Sequence, residues 1–132
     1  MVSLRITSAE LKKSLADVWG VFPNKSKTAT MKETILNSPF AVHFFRGLFD
    51  GDGCVHRRGN GYFYANLCGT PNIIDSFRDF CWKSIRETGN LQRRTSYTHV
   101  VQFGSRAAPL LGKLLYGVDG PRLHRKERVF CG

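Results

Sequence analysis

The chain has 132 residues, 42% of them hydrophobic and 12% aromatic, a length and composition that suit one domain around a single core and exclude a disordered chain. Twenty Lys and Arg stand against ten Asp and Glu, and the formal charge of +10 is spread along the chain, which fits a polyanionic partner. No apolar run approaches the ~20 residues that span a bilayer, no signal peptide is evident, and Cys54, Cys68, Cys81 and Cys131 show neither CxxC nor Cys/His zinc spacing, so a reduced intracellular protein that stays out of the membrane is expected.

In chain order, the alternating VSLRI of Val2 to Ile6 reads as a short strand. Ser8 then caps a helix whose Leu11, Leu15, Val18 and Trp19 recur at helical spacing, with Gly20 as its stop. Val21 to Met31 has no periodicity and holds Pro23, Asn24, Lys25 and Lys27, so it reads as a basic loop. Ser38 and Pro39 open the next helix. Within it Val42, Phe45 and Phe49 lie at helical spacing, and Gly47 leaves room for another backbone to approach. Phe44, Phe45, Leu48 and Phe49 make an apolar face that one small domain covers poorly, so self-association through this helix is expected. Gly51 and Gly53 permit positive φ, and the helix is expected to end there in a tight turn that carries Asp50 and Asp52.

Cys54 to Arg58 and Tyr62 to Cys68, joined by Gly59-Asn60-Gly61, read as a hairpin. Alternation places Phe63, Ala65 and Leu67 on one face and Tyr62, Tyr64, Asn66 and Cys68 on the other, with His56 and Arg58 beside the second set. Thr70 and Pro71 open a helix with an apolar stripe of Ile73, Ile74, Phe77, Phe80, Cys81 and Ile85, ending at Gly89. Leu91 to Arg94 and Tyr97 to Phe103 form a second hairpin, contributing Arg93, Arg94, His99 and Gln102. Ser105 to Tyr116 is a third helix with Leu110, Leu111, Leu114 and Leu115 inward and Gly117 at its end, and Pro121 to Phe130 is a basic tail. His43, His56, His99 and His124 form no metal-ligating pair.

Phe45 to Gly53, FRGLFDGDG, resembles the LAGLIDADG motif of homing endonucleases, position for position at Gly47, Leu48, Asp50, Asp52 and Gly53. The resemblance implies an α+β fold of order αββαββα, with a four-stranded antiparallel, saddle-shaped sheet and helices on one face. The uncovered face would lie over the major groove of double-stranded DNA. Two motif helices would pack side by side through Phe45, Gly47 and Leu48, which for one motif per chain implies a homodimer. Asp52, with the Gly53 carbonyl, would hold Mg²⁺ or Mn²⁺ over the scissile phosphate, while Asp50 stabilises the helix end. Leu123-His124-Arg125-Lys126 resembles the L-x-R-K segment of the family, making Lys126 a catalytic candidate that stabilises developing charge or polarises the attacking water. Asn66, or less readily Cys68, would hold that water.

His56, Arg58, Tyr62, Tyr64, Asn66, Arg93, Arg94 and Gln102 are the candidate DNA contacts. Residues 4–27 repeat the order of residues 101–126, so residues 1–37 resemble the end of a preceding repeat; the resemblance then implies a LAGLIDADG domain over residues 38–132, and Lys25 would correspond to Lys126 as a further contact. The expected function is site-specific hydrolysis of both DNA strands. The alternatives are a non-cleaving DNA-binding module of the same fold and an RNA-binding protein that assists intron splicing.

Overall fold

A computed structural model describes residues 2–3, 5–17 and 32–131. The elements are α1 (Ala9–Asp17), α2 (Glu33–Leu36), α3 (Ala41–Asp52), β1 (Gly53–Arg57), β2 (Phe63–Gly69), α4 (Pro71–Ile85), β3 (Asn90–Arg93), β4 (His99–Phe103), α5 (Ala108–Tyr116) and α6 (His124–Cys131). The fold is α+β. Two antiparallel hairpins join through their second strands into one four-stranded sheet, ordered β1-β2-β4-β3.

Strand alternation decides which face is covered. Phe63, Ala65 and Leu67 of β2 and Val101 and Phe103 of β4 share one side and are all buried. Against them pack Phe45 and Phe49 of α3, Ile74, Phe77 and Cys81 of α4, Leu111 and Leu115 of α5 and Phe130 of α6. Aromatic rings tie these layers together: Phe45 lies 4.8 Å from Phe80 and 5.3 Å from Phe77, and Phe49 lies 5.7 Å from Phe130. Burying one such ring contributes about 1.5–3 kcal/mol. Ile35 of the single-turn α2 joins the same core.

Several elements differ from expectation, each for a local reason. Val2, Ser3, Arg5 and Ile6 are not in a strand, and the sheet's two edges, β1 and β3, have no further neighbour among the described residues. Ser8 caps α1 as expected, accepting from the Leu11 N–H at 3.1 Å, but Leu11 and Leu15 are exposed. Val18 to Met31, with Lys25, lie outside the described residues. Helix α4 stops at Arg86, whose φ of 58° makes it a left-handed cap, rather than at Gly89. Helix α5 starts at Ala108 because Ser105 is occupied elsewhere: its hydroxyl accepts from the Phe63 N–H and donates to the Phe63 carbonyl, both at 3.1 Å. Leu110 faces solvent. The expected basic tail is a helix, α6, that buries Lys126 and Phe130 one turn apart.

The motif segment departs most. No turn follows the helix: α3 continues through Asp50 and Gly51 to Asp52, and β1 begins at Gly53 with φ −81° and ψ 157°. Neither Gly51 nor Gly53 has positive φ. Glycine is required at position 53 for space, since a Cβ there would come within 2.5 Å of the Phe49 ring and carbonyl.

Candidate functional site

The last turn of α3 and Gly53 after it are held by hydrogen bonds from Tyr116, Leu123 and Lys126. A helix leaves its final carbonyls without intrahelical partners, and a left-handed glycine usually turns the chain back to satisfy them. Here α3 runs straight into β1, and α6 supplies the partner instead. Lys126, a residue only 6% exposed, donates through its ammonium to the carbonyls of Phe49 (2.8 Å) and Asp50 (2.7 Å) and, closer still, to that of Gly53. Burial and neighbouring Arg125 lower the Lys126 pKa from the ordinary lysine value, while Asp50, Cys54 and Asp52 pull it upward.

The two aspartates of this turn have separate surroundings. Asp50 accepts from the Tyr116 hydroxyl through one oxygen (2.5 Å) and from the Leu123 N–H through the other (2.8 Å), so both oxygens are engaged by the chain. Burial, then the hydrogen bond to Asp50, raise the Tyr116 phenol well above its usual range, which keeps it a donor. Asp52 is exposed and has no hydrogen bond or ion pair among the described residues. A carboxylate at a helix C-terminus faces the negative end of the helix dipole, so a cation placed beside Asp52 is favoured by both charges.

Arg46, which stands where the LAGLIDADG motif has its first Ala, is buried at 1% exposure. It donates to the carbonyls of Leu115 (3.1 Å), Val118 and Asp119 (3.3 Å) and to His43 Nδ1 (2.7 Å). Arg122 donates to the carbonyls of Tyr116, Val118 and Gly120 and to Glu127. Both guanidiniums thus satisfy carbonyls at the end of α5, which has no left-handed cap.

The open face of the sheet carries the polar parity of every strand. Pairing puts Cys54, Asn66, Gln102 and Asn90 in one row across β1, β2, β4 and β3. Three of the four are amides, each with donors and an acceptor of the kind that matches base edges. A second row pairs His56 with Tyr64, their rings 5.5 Å apart, and the Tyr62 ring lies 5.6 Å from Tyr64 with the Arg58 guanidinium over it. Arg94 reaches the same side, donating to Gln92 Oε1 at 3.1 Å. Arg93 does not: it pairs with His99 on the helix-bearing side, because neighbouring strand residues face opposite ways. Asn90 and Gln92 belong to the face and were missed. Extending the alternation from Gln102 back through β3 would have found them.

A second, partly open stripe runs along α3. Phe40, 61% exposed, Gly47 and Gly51 are exposed on it and Phe44 and Leu48 are half-buried against the core, all at helical spacing, and a Cβ at Gly47 or Gly51 would meet nothing within 4 Å among the described residues. Phe45 is not on this stripe but fully buried, as is Phe49. The apolar face expected to need a partner is therefore largely covered by the domain's own core. Gly47 makes no close helix contact among the described residues.

Of the expected site residues, Asp52, Gly53 and Lys126 come together at the end of α3, and Asn66 lies across from Cys54 on the adjoining sheet face. Among the described residues no group of three or more His, Cys, Asp or Glu could hold a metal ion, and no helix is long and apolar enough to cross a membrane. Comparison with protein-family models, with curated proteins and with solved structures gave no match.

Proposed function

We propose that this chain is a metal-dependent DNA endonuclease of the LAGLIDADG type, acting as a homodimer through α3. The observation that carries the reading is the place of Asp52: an uncommitted carboxylate ends α3 where the helix becomes the edge strand of an open, amide-lined sheet face. The motif resemblance and the +10 charge support it. In this reading the open face curves along the major groove, where Asn66, Gln102, His56, Tyr64 and Arg94 contact the duplex.

Of the two expected ligands for Mg²⁺ or Mn²⁺, Asp52 fits, offering the hard anionic oxygen such ions take. Gly53 fits poorly, because its carbonyl accepts from an ammonium. The other ligands would be phosphate oxygens, water and the Asp52 of a second copy, brought near by pairing of the Gly47 stripes. A bound ion supplies charge neutralisation at the phosphoryl centre. The chain's own residues align the duplex on the sheet and hold Asp52 at its rim.

One observation favours the non-cleaving DNA-binding module: no N–H of Lys126 is left over for a phosphate or a water. Incubation with long duplex DNA and Mg²⁺ or Mn²⁺ separates the two. Discrete nicked or linear products support the endonuclease, and tight binding to a defined duplex without products with either ion supports the module.

A further inference from the structure

We infer that Lys126 is a positioning residue whose ammonium acts as a built-in cation, seated in a cage of three backbone carbonyls, and holds the α3–β1 junction so that Asp52 stands in one place. The ammonium has three N–H donors, and three carbonyls, those of Phe49, Asp50 and Gly53, take them. These oxygens lie at the negative end of α3, where a cation gains from the dipole as well as from each hydrogen bond. The cage sits between two further ties: Asp50 accepts from Leu123, just before α6, and Phe130, one turn beyond Lys126, packs on Phe49. Helix α6 is thereby fastened to the junction at three successive levels. The backbone on either side of Asp52 is gripped, at Asp50 and at Gly53, while the Asp52 carboxylate makes no hydrogen bond or ion pair among the described residues.

This assignment differs from a catalytic role, in which the ammonium meets a phosphate or a water. It rests on the proposed function only for what Asp52 does.

The test is chemical rescue of Lys126→Ala. Removal of the side chain empties the cage, and the melting temperature should fall by about 5–10 °C, the effect of losing hydrogen bonds from one buried charged donor. Ethylammonium, which has N–H donors, should restore much of that loss. Tetramethylammonium at equal ionic strength, which has none, should not. For DNA nicking, kcat should fall about 10²-fold with KM unchanged, as when a reacting group is misplaced by an ångström, and ethylammonium should raise it again.

The labelled wild-type protein supplies a second measurement in case the variant does not fold. The ¹⁵Nζ of Lys126 should give a slowly exchanging NH₃⁺ signal correlated through hydrogen bonds with the carbonyls of Phe49, Asp50 and Gly53, unlike exposed Lys83. A melting temperature unchanged by Lys126→Ala, equal rescue by both cations, or an Nζ signal that exchanges as fast as that of Lys83 would overturn the inference. If stability and the Nζ signal behave as expected while the wild type never nicks DNA, the cage stands and the endonuclease reading falls.

Discussion

The Tyr116 hydroxyl donates a 2.5 Å hydrogen bond to Asp50, tying α5 to the last turn of α3. With the Leu123 N–H on its other oxygen, Asp50 is spent on structure, and Asp52, two residues on, is not. One acid locks the helix end so that the other can remain available.

Asp52→Asn keeps the side-chain volume and removes the charge that holds a hard cation. Nicking with Mg²⁺ should be abolished, while duplex affinity measured by fluorescence anisotropy stays the same or rises slightly as repulsion from phosphate is relieved. A variant that cuts at the wild-type rate would show that the motif is misassigned.

Gly47→Leu should leave the fold intact, because a Cβ there meets nothing within 4 Å among the described residues and replacing a mid-helix glycine gains up to about 1 kcal/mol of helix propensity. Sedimentation equilibrium should instead show weaker self-association, since the bulky side chain stands in the stripe that a second helix would approach. A lower melting temperature in a species that is monomeric before and after substitution would point to a neighbour within the chain.

Arg94→Ala should weaken binding to all duplexes alike and reduce the slope of log affinity against log salt by about 1, the signature of one lost phosphate contact. Tyr64→Ala should act mainly on preferred sequences. If the double variant binds a preferred duplex as the wild type does across a salt series, the sheet face is not the contact surface.

Glu127 provides a pH test of the α5–α6 corner. The hydrogen bond from Arg122, and after it that from His124, hold its carboxyl below the ordinary value of 4.5. The unfolded chain therefore binds this proton first as pH falls, so the stability Glu127 contributes is complete above that value and is lost as pH drops through the lower folded one. Thermal melts from pH 7 to pH 3 should show this acid loss in the wild type and less of it in Glu127→Gln.

The αββαββα order and the buried parity of β2 could be read from the sequence, because strict alternation and helical spacing report directly on which residues enter the core. What was not legible was decided by polar groups acting at a distance. Arg46 and Lys126 look like surface charges, yet both are buried because α3 and α5 end without a left-handed cap, Gly53 and Gly117 both having negative φ, and leave carbonyls that a long cationic side chain reaches. The Asp-Gly-Asp-Gly stretch looked like a turn for the same reason: its capping group lies more than seventy residues away in α6. Phe45 and Phe49 suggested a dimer face, and only the facing positions of Phe77, Phe80 and Phe130 show that the core takes them.

Because Asp52 closes α3 and Gly53 opens β1, no loop residue separates helix from edge strand. The Lys126 cage grips carbonyls on both sides of that joint, so the direction of the helix axis fixes where the edge strand starts. Cys54 and His56, the open-face positions of β1, are thereby referred to the α3 axis through Gly53 alone, with no loop between them.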